Sequence, residues 1–140
     1  MRFHPRVVGV RTGTITITDS DPTPQVVALT GTGVAPINQV SLTSLAFGTI
    51  PIRTISPVQV VTVTNTGTAP LGISRINLTG GNANQYNQNN NCSGTLAVGA
   101  NCAVNVTFRP TARGAKAATL NVTVAAPALS QAVALTGTGQ

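Results

Sequence analysis

The chain of 140 residues is long enough for one ordinary domain and too short for two large ones. Its only carboxylate side chains are Asp19 and Asp21, so residues 22–140 contain none, and the single imidazole, His4, lies outside that stretch. Most enzyme chemistry is thereby excluded, since the many Ser and Thr hydroxyls have no plausible partner base, and neither an enzyme nor a cofactor is expected. The formal charge of +6 is scattered over Arg2, Arg6, Arg11, Arg53, Arg75, Arg109, Arg113 and Lys116. It lacks the basic stripe with interleaved aromatics that nucleic-acid platforms use, so nucleic acid is not an expected partner.

The opening MRFHPRVVGVRTGT breaks at Pro5 and Gly9 before a signal-peptide core can form, and no apolar run approaches the roughly 18 residues of a membrane helix. No membrane span is expected, and no export signal is visible in the chain. His4, followed by Pro5 and without an acidic orienter, is not read as a base. Two strands follow, VRTGTITIT and QVVALTG, each alternating Thr with Val, Ile or Leu, which places Ile15, Ile17, Val27 and Leu29 on one apolar face. Asp19 and Asp21, in the TDSDPTP link between them, fall short of the six to eight oxygens that calcium takes and read as a solvated turn.

From residue 34 onward, period-two alternation recurs in QVSLTSLAFG (39–48), VQVVTVTNTG (58–67), LGISRINLTG (71–80), CAVNVTFRP (102–110), ATLNVTV (118–124) and QAVALTGTG (131–139). Gly, Asn and Pro clusters punctuate these segments, and no stretch of ten residues shows helical periodicity. About seven short strands in about 105 residues is the pattern of an immunoglobulin-like antiparallel β-sandwich. Its inward set is expected to include Leu45, Phe47, Val61, Val63, Leu71, Ile73, Ile76, Leu78, Leu96, Val104, Val106, Phe108, Leu120, Val122, Val133 and Leu135.

The amide-rich stretch GGNANQYNQNNNCSG (80–94) reads as a solvent-exposed connector, with Tyr86, Asn84 and Gln88 as a candidate contact loop. Cys92 and Cys102 have neither the CxxC spacing of a redox pair nor a His close in sequence, so the expected reading is a disulfide across a short loop, in an oxidising compartment. Lys116 has no acid within 34–140 to assist an isopeptide crosslink, and the N-x-[ST] triplets at Asn77, Asn91, Asn105 and Asn121 are of a kind that an Asn- and Thr-rich chain produces by chance.

An internal repeat organises the whole. FHPRVVGVRTGTITITDSDPTPQVVALTGTG (3–33) recurs as FRPTARGAKAATLNVTVAAPALSQAVALTGTG (108–139): Phe3 matches Phe108, Pro5 matches Pro110, Gly9 matches Gly114, and the ending ALTGTG is identical. Residues 1–33 therefore read as the C-terminal strand pair of a partial repeat, and 34–140 as a complete domain. The FG after the first strand, the TNTGTAPL turn, the FxP and the closing LTGTG resemble the ASH domain shared by abnormal-spindle and Hydin proteins, close to the major sperm protein sandwich. The resemblance extends to tandem copies in bacterial surface proteins with an anchor region. It implies an immunoglobulin-like fold in structural or interaction modules without catalytic residues, and this chain departs from it by starting in mid-repeat.

A hairpin with one apolar face has no second layer of its own, so Ile15, Ile17, Val27 and Leu29 form an expected assembly interface. The function expected is a structural subunit of an extracellular or cell-surface assembly, bacterial by the resemblance. Its hairpin would dock by strand addition on a neighbouring copy, with self-association into a homo-oligomer or filament. The alternative is a binding or spacer module of a tandem-repeat surface protein, taking polysaccharide or other surface proteins through the 80–94 loop. Intracellular scaffolding is a third reading, and it predicts reduced cysteines.

Overall fold

The computed structural model describes residues 1–20 and 22–140. They form two compact units, Met1–Ala35 and Pro36–Gln140. The first is a single antiparallel hairpin of β1 (Gly9–Ile17) and β2 (Gln25–Gly33). The second contains β3 (Asn38–Val40), β4 (Ser44–Ile50), β5 (Gln59–Asn65), β6 (Leu71–Thr79), β7 (Tyr86–Asn90), β8 (Thr95–Leu96), β9 (Asn101–Phe108), β10 (Gly114–Val124) and β11 (Gln131–Gly139).

Strands of the second unit make a five-stranded sheet, ordered β4-β11-β10-β6-β8, and a four-stranded sheet, ordered β3-β5-β9-β7. All pairings are antiparallel except β4 with β11. This is the immunoglobulin-like sandwich. Alternation sets what each strand buries: Cys102, Val104, Val106 and Phe108 from β9 meet Ala118, Leu120, Val122 and Val124 from β10 and Val133 and Leu135 from β11. The expected inward positions are buried, apart from Ile73, Ile76 and Leu78, which are partly buried against the core. Tyr86, Cys92, Cys102, Ala118 and Val124 join the core as well.

Two features differ from the sequence reading. Residues 39–48 are not one strand, because the chain crosses between sheets at Ser41–Thr43. Ser41 N donates to Thr62 O and Ser41 Oγ accepts from Thr62 N, both at 2.9 Å, closing the pairing with β5. Two residues later Thr43 O accepts from Ala134 N at 2.9 Å, opening the pairing with β11. The amide-rich connector also holds a short 3₁₀ turn, Ala83–Gln85, and the edge strand β7. With β3, β7 and the two-residue β8 the sandwich has nine strands rather than about seven.

Asn65 ties the sandwich end together from a fully buried position. Its Oδ1 accepts from Gly67 N at 3.0 Å and Ile37 N at 3.4 Å, and its Nδ2 donates to Ala69 O at 2.8 Å and Leu96 O at 3.1 Å. The TNTG turn is thus a polar hub in which one amide saturates its bonding capacity.

Candidate functional site

The first unit repeats the end of the second in register as well as in sequence. All nine pairs of β1–β2, from Gly9↔Gly33 to Ile17↔Gln25, correspond to the nine pairs of β10–β11, from Gly114↔Gly139 to Val122↔Gln131. Ile15↔Val27 thereby matches Leu120↔Val133, and Gly13↔Leu29 matches Ala118↔Leu135. The correspondence extends to close contacts. A Cβ on Gly137 would fall 2.5 Å from the Phe108 ring, and one on Gly31 2.6 Å from the Phe3 ring. In both copies an aromatic ring lies flat on the strand where only glycine leaves room, which is the physical content of the LTGTG ending.

What separates the copies is their cover. Phe108, Leu120, Val122, Val133 and Leu135 have no exposed surface. Their counterparts are open: Ile17 is 48% exposed, Val27 47% and Phe3 50%, while Ile15 and Leu29 are half-buried. A depression of about 340 Å³ lined by Phe3, Gly13 and Leu29 opens there. The four residues expected at an assembly interface therefore share one face of a hairpin whose sequence and register belong to a sandwich interior.

The candidate contact loop is rearranged. Tyr86 is buried at 5% exposure, its ring stacked on Phe108 at 4.7 Å and edge-on to Phe47 at 5.7 Å, with its hydroxyl donating to Lys116 O at 2.9 Å. Burial raises its pKa to about 12. Tyr86 is thus a core residue with its hydroxyl tethered, not the exposed tip of a contact loop. Gln88 Nε2 donates to Ile76 O, linking the two sheets, and Asn90 Nδ2 donates to Gln88 Oε1. Asn105 Nδ2 donates to Asn89 Oδ1, and Asn91 Oδ1 accepts from Ala103 N. These amides bond one another and the neighbouring β9, holding β7 at the edge of the four-stranded sheet.

Cys92 and Cys102 form a disulfide with Cα atoms 5.2 Å apart, anchoring the segment after β7 to β9. Asp21, in the turn weighed for calcium, lies outside the described residues.

An open groove of about 490 Å³ was not legible from the sequence. It brings Arg53 and Arg109, 56 residues apart, together with Asn84 and Asn87. Of the candidate contact residues Tyr86, Asn84 and Gln88, the exposed Asn84 lines it, and Tyr86 contributes only from its buried position. The one sequence signal for this site was negative: no acid in residues 22–140 that could neutralise either arginine.

Residues 36–139 match the HYDIN/CFA65/VesB-like, Ig-like domain family. The chain belongs to this family. Among solved structures, the Ig-like chain resembles a protein of unknown function from Porphyromonas gingivalis W83, at 10% identity over 96% of this chain and 68% of that one, with a TM-score of 0.59. It also resembles the ASH/PapD-like domain 7 of human CEP192, at 17% identity over 74% and 84% of the two chains, with a TM-score of 0.56. The VesB protease of Vibrio cholerae matches at 16% identity, over 72% of this chain and 31% of that one, with a TM-score of 0.54. At such identities the likeness is one of fold, and the Ig-like chain spans under a third of VesB's length. Comparison with curated proteins finds no match. Among the described residues no helix is long and apolar enough to cross a membrane.

Proposed function

We propose that this Ig-like chain is a non-enzymatic structural module of an extracellular or cell-surface assembly, whose N-terminal hairpin packs by strand addition on a neighbouring subunit. One observation carries the reading: the hairpin face matches, pair for pair, a face that the second unit buries completely. The disulfide supports an oxidising location. A similar fold within the secreted serine protease VesC from Vibrio cholerae supports an exported setting.

The pairing inside the second unit supports a specific form for such a contact. There β11 pairs on its outer side with β4 in parallel, and β10 pairs with β6 antiparallel. A docking subunit would therefore offer a parallel strand beside β2, an antiparallel one beside β1, and an apolar layer over Ile15, Ile17, Val27 and Leu29. Covering what remains open on Ile17, Val27 and Phe3 removes about 300 Å² from water, worth about 7 kcal/mol before the entropy of association. Such a contact is heterologous, so it propagates head to tail unless it closes into a ring.

Sedimentation over a concentration series tests this. Wild-type chain is expected to associate, and the double variant Ile17→Lys, Val27→Lys to remain monomeric with its second unit folded. Electron microscopy of the associated material then separates filaments from rings. Wild-type protein that stays monomeric at every concentration, with residues 1–33 resisting proteolysis, overturns the proposal.

A further inference from the structure

The groove between the 51–56 segment, the 3₁₀ turn and the end of β9 is independent of the hairpin and has the features of a binding site. Three backbone hydrogen bonds pin its walls. Arg53 N donates to Pro110 O at 2.8 Å, Ser56 N to Phe108 O at 2.8 Å, and Arg109 N to Gln85 O at 2.8 Å. The buried Gln85 side chain adds a fourth tie, accepting from Thr111 N at 3.0 Å. The site is therefore preorganised.

Arg53 occupies the left-handed region, at φ 66°, the one non-glycine residue to do so among the described residues. That conformation is strained for a residue with a Cβ, a strain that glycine would avoid. The side chain returns nothing to the fold: the Arg53 guanidinium is exposed and makes no hydrogen bond or ion pair among the described residues. Its backbone carbonyl accepts from Arg109 Nε at 3.3 Å, which holds the second guanidinium in the same groove with its terminal nitrogens still available. The unit also carries Arg75, Arg113 and Lys116 and no acidic side chain, so the field at the groove is positive.

Two guanidinium forks present the donor geometry that suits a planar carboxylate. Around them the exposed amides of Asn84 and Asn87 and the hydroxyl of Thr107 offer donors and acceptors spaced along the wall, and Ile55 gives an apolar shelf. A carboxylate flanked by several hydroxyls on a ring with an apolar face is a uronic acid. The volume of about 490 Å³ is within the range of small-ligand sites. We propose that this groove binds a uronate residue of an acidic polysaccharide, with Arg53 and Arg109 holding the carboxylate and Asn84, Asn87 and Thr107 reading the hydroxyls.

The test is calorimetry and amide chemical-shift mapping of the full chain with a short oligogalacturonate at low salt. Binding is expected at sub-millimolar affinity, with shifts at Asn84, Asn87 and Thr107. Arg53→Gly removes one fork while fitting the left-handed backbone, so it is expected to weaken binding about tenfold with the melting temperature unchanged or raised. Arg109→Gln is expected to weaken it similarly. No binding at millimolar oligogalacturonate overturns the proposal, as does wild-type affinity in Arg53→Gly. Equal affinity for the neutral oligogalactose, for polyphosphate or for an acidic peptide also overturns it, reducing the groove to a general sugar surface, a cationic patch or a peptide site respectively.

Discussion

Asn65 offers the sharpest check on how the sandwich is held together. In Asn65→Ala the amide disappears from a fully buried position, and four hydrogen bonds, three of them between 2.8 and 3.1 Å, go with it. A hydrogen bond whose partner can turn to water contributes about 1 kcal/mol net, whereas a buried partner left unsatisfied costs about 1–3 kcal/mol. Leu96 O and Gly67 N are the most enclosed partners, and at about 2 kcal/mol each they set the loss at about 4 kcal/mol, a large share of a domain's 5–15 kcal/mol. Urea unfolding followed by near-ultraviolet circular dichroism measures it, with an unchanged denaturant slope showing that the unfolded state is the same. Asn65→Asp sharpens the test, because it keeps the acceptor but turns the donor toward Ala69 O and Leu96 O into a second acceptor. Burial and those carbonyls raise the folded pKa of the new carboxyl above its unfolded value of about 3.9, so the variant is expected to be more stable near pH 4 and to lose stability as pH rises through the folded pKa. A loss below about 1 kcal/mol in Asn65→Ala would refute the hub assignment.

Other perturbations probe different parts of the molecule. Gly137→Ala would set a methyl against the Phe108 ring, which is buried and packed on Tyr86 and Phe47, and is expected to destabilise the second unit by about 2–3 kcal/mol. Gly31→Ala meets the half-exposed Phe3 ring, which can swing aside, so a comparable loss of stability in this variant would contradict the open face assigned to the hairpin. Replacing Cys92 and Cys102 together by Ser opens a loop of sequence separation 10 and is expected to cost about 2.5–3 kcal/mol by the chain-entropy relation, read as a lower urea midpoint. Tyr86 is the only tyrosine, so ultraviolet titration reports it alone: ionisation is expected at about pH 12 in the folded protein, and a midpoint near 10 with the fold intact would contradict its burial. Stability from this group is fully present below pH about 10 and is lost as pH rises toward 12.

Several parts of the molecule were legible in one dimension because their causes are local. Period-two alternation in 102–110, 118–124 and 131–139 marks β9, β10 and β11, since a strand half-buried against a second sheet needs apolar side chains on one face only. The repeat of 3–33 in 108–139 was visible as a string and reappears as the same nine-pair register. The edge strand β7 was hidden because its outward residues are amides that bond across to β9 instead of packing, so the stretch carries no hydrophobic period. Residues 39–48 concealed a change of sheet for a related reason: both halves alternate, and only the partners on either side of Ser41–Thr43 distinguish them.

By itself the sequence determined what the chain lacks and what it repeats: no carboxylate after Asp21, two cysteines spaced for a small loop, and a hairpin written twice. Such properties are sums and alignments over residues and need no coordinates. Tertiary structure decided which copy of the hairpin is covered, that Tyr86 points inward, and that Arg53 and Arg109 share one groove. These depend on which strands become neighbours in space, and in a sandwich the neighbours come from distant parts of the chain, where no local pattern records them.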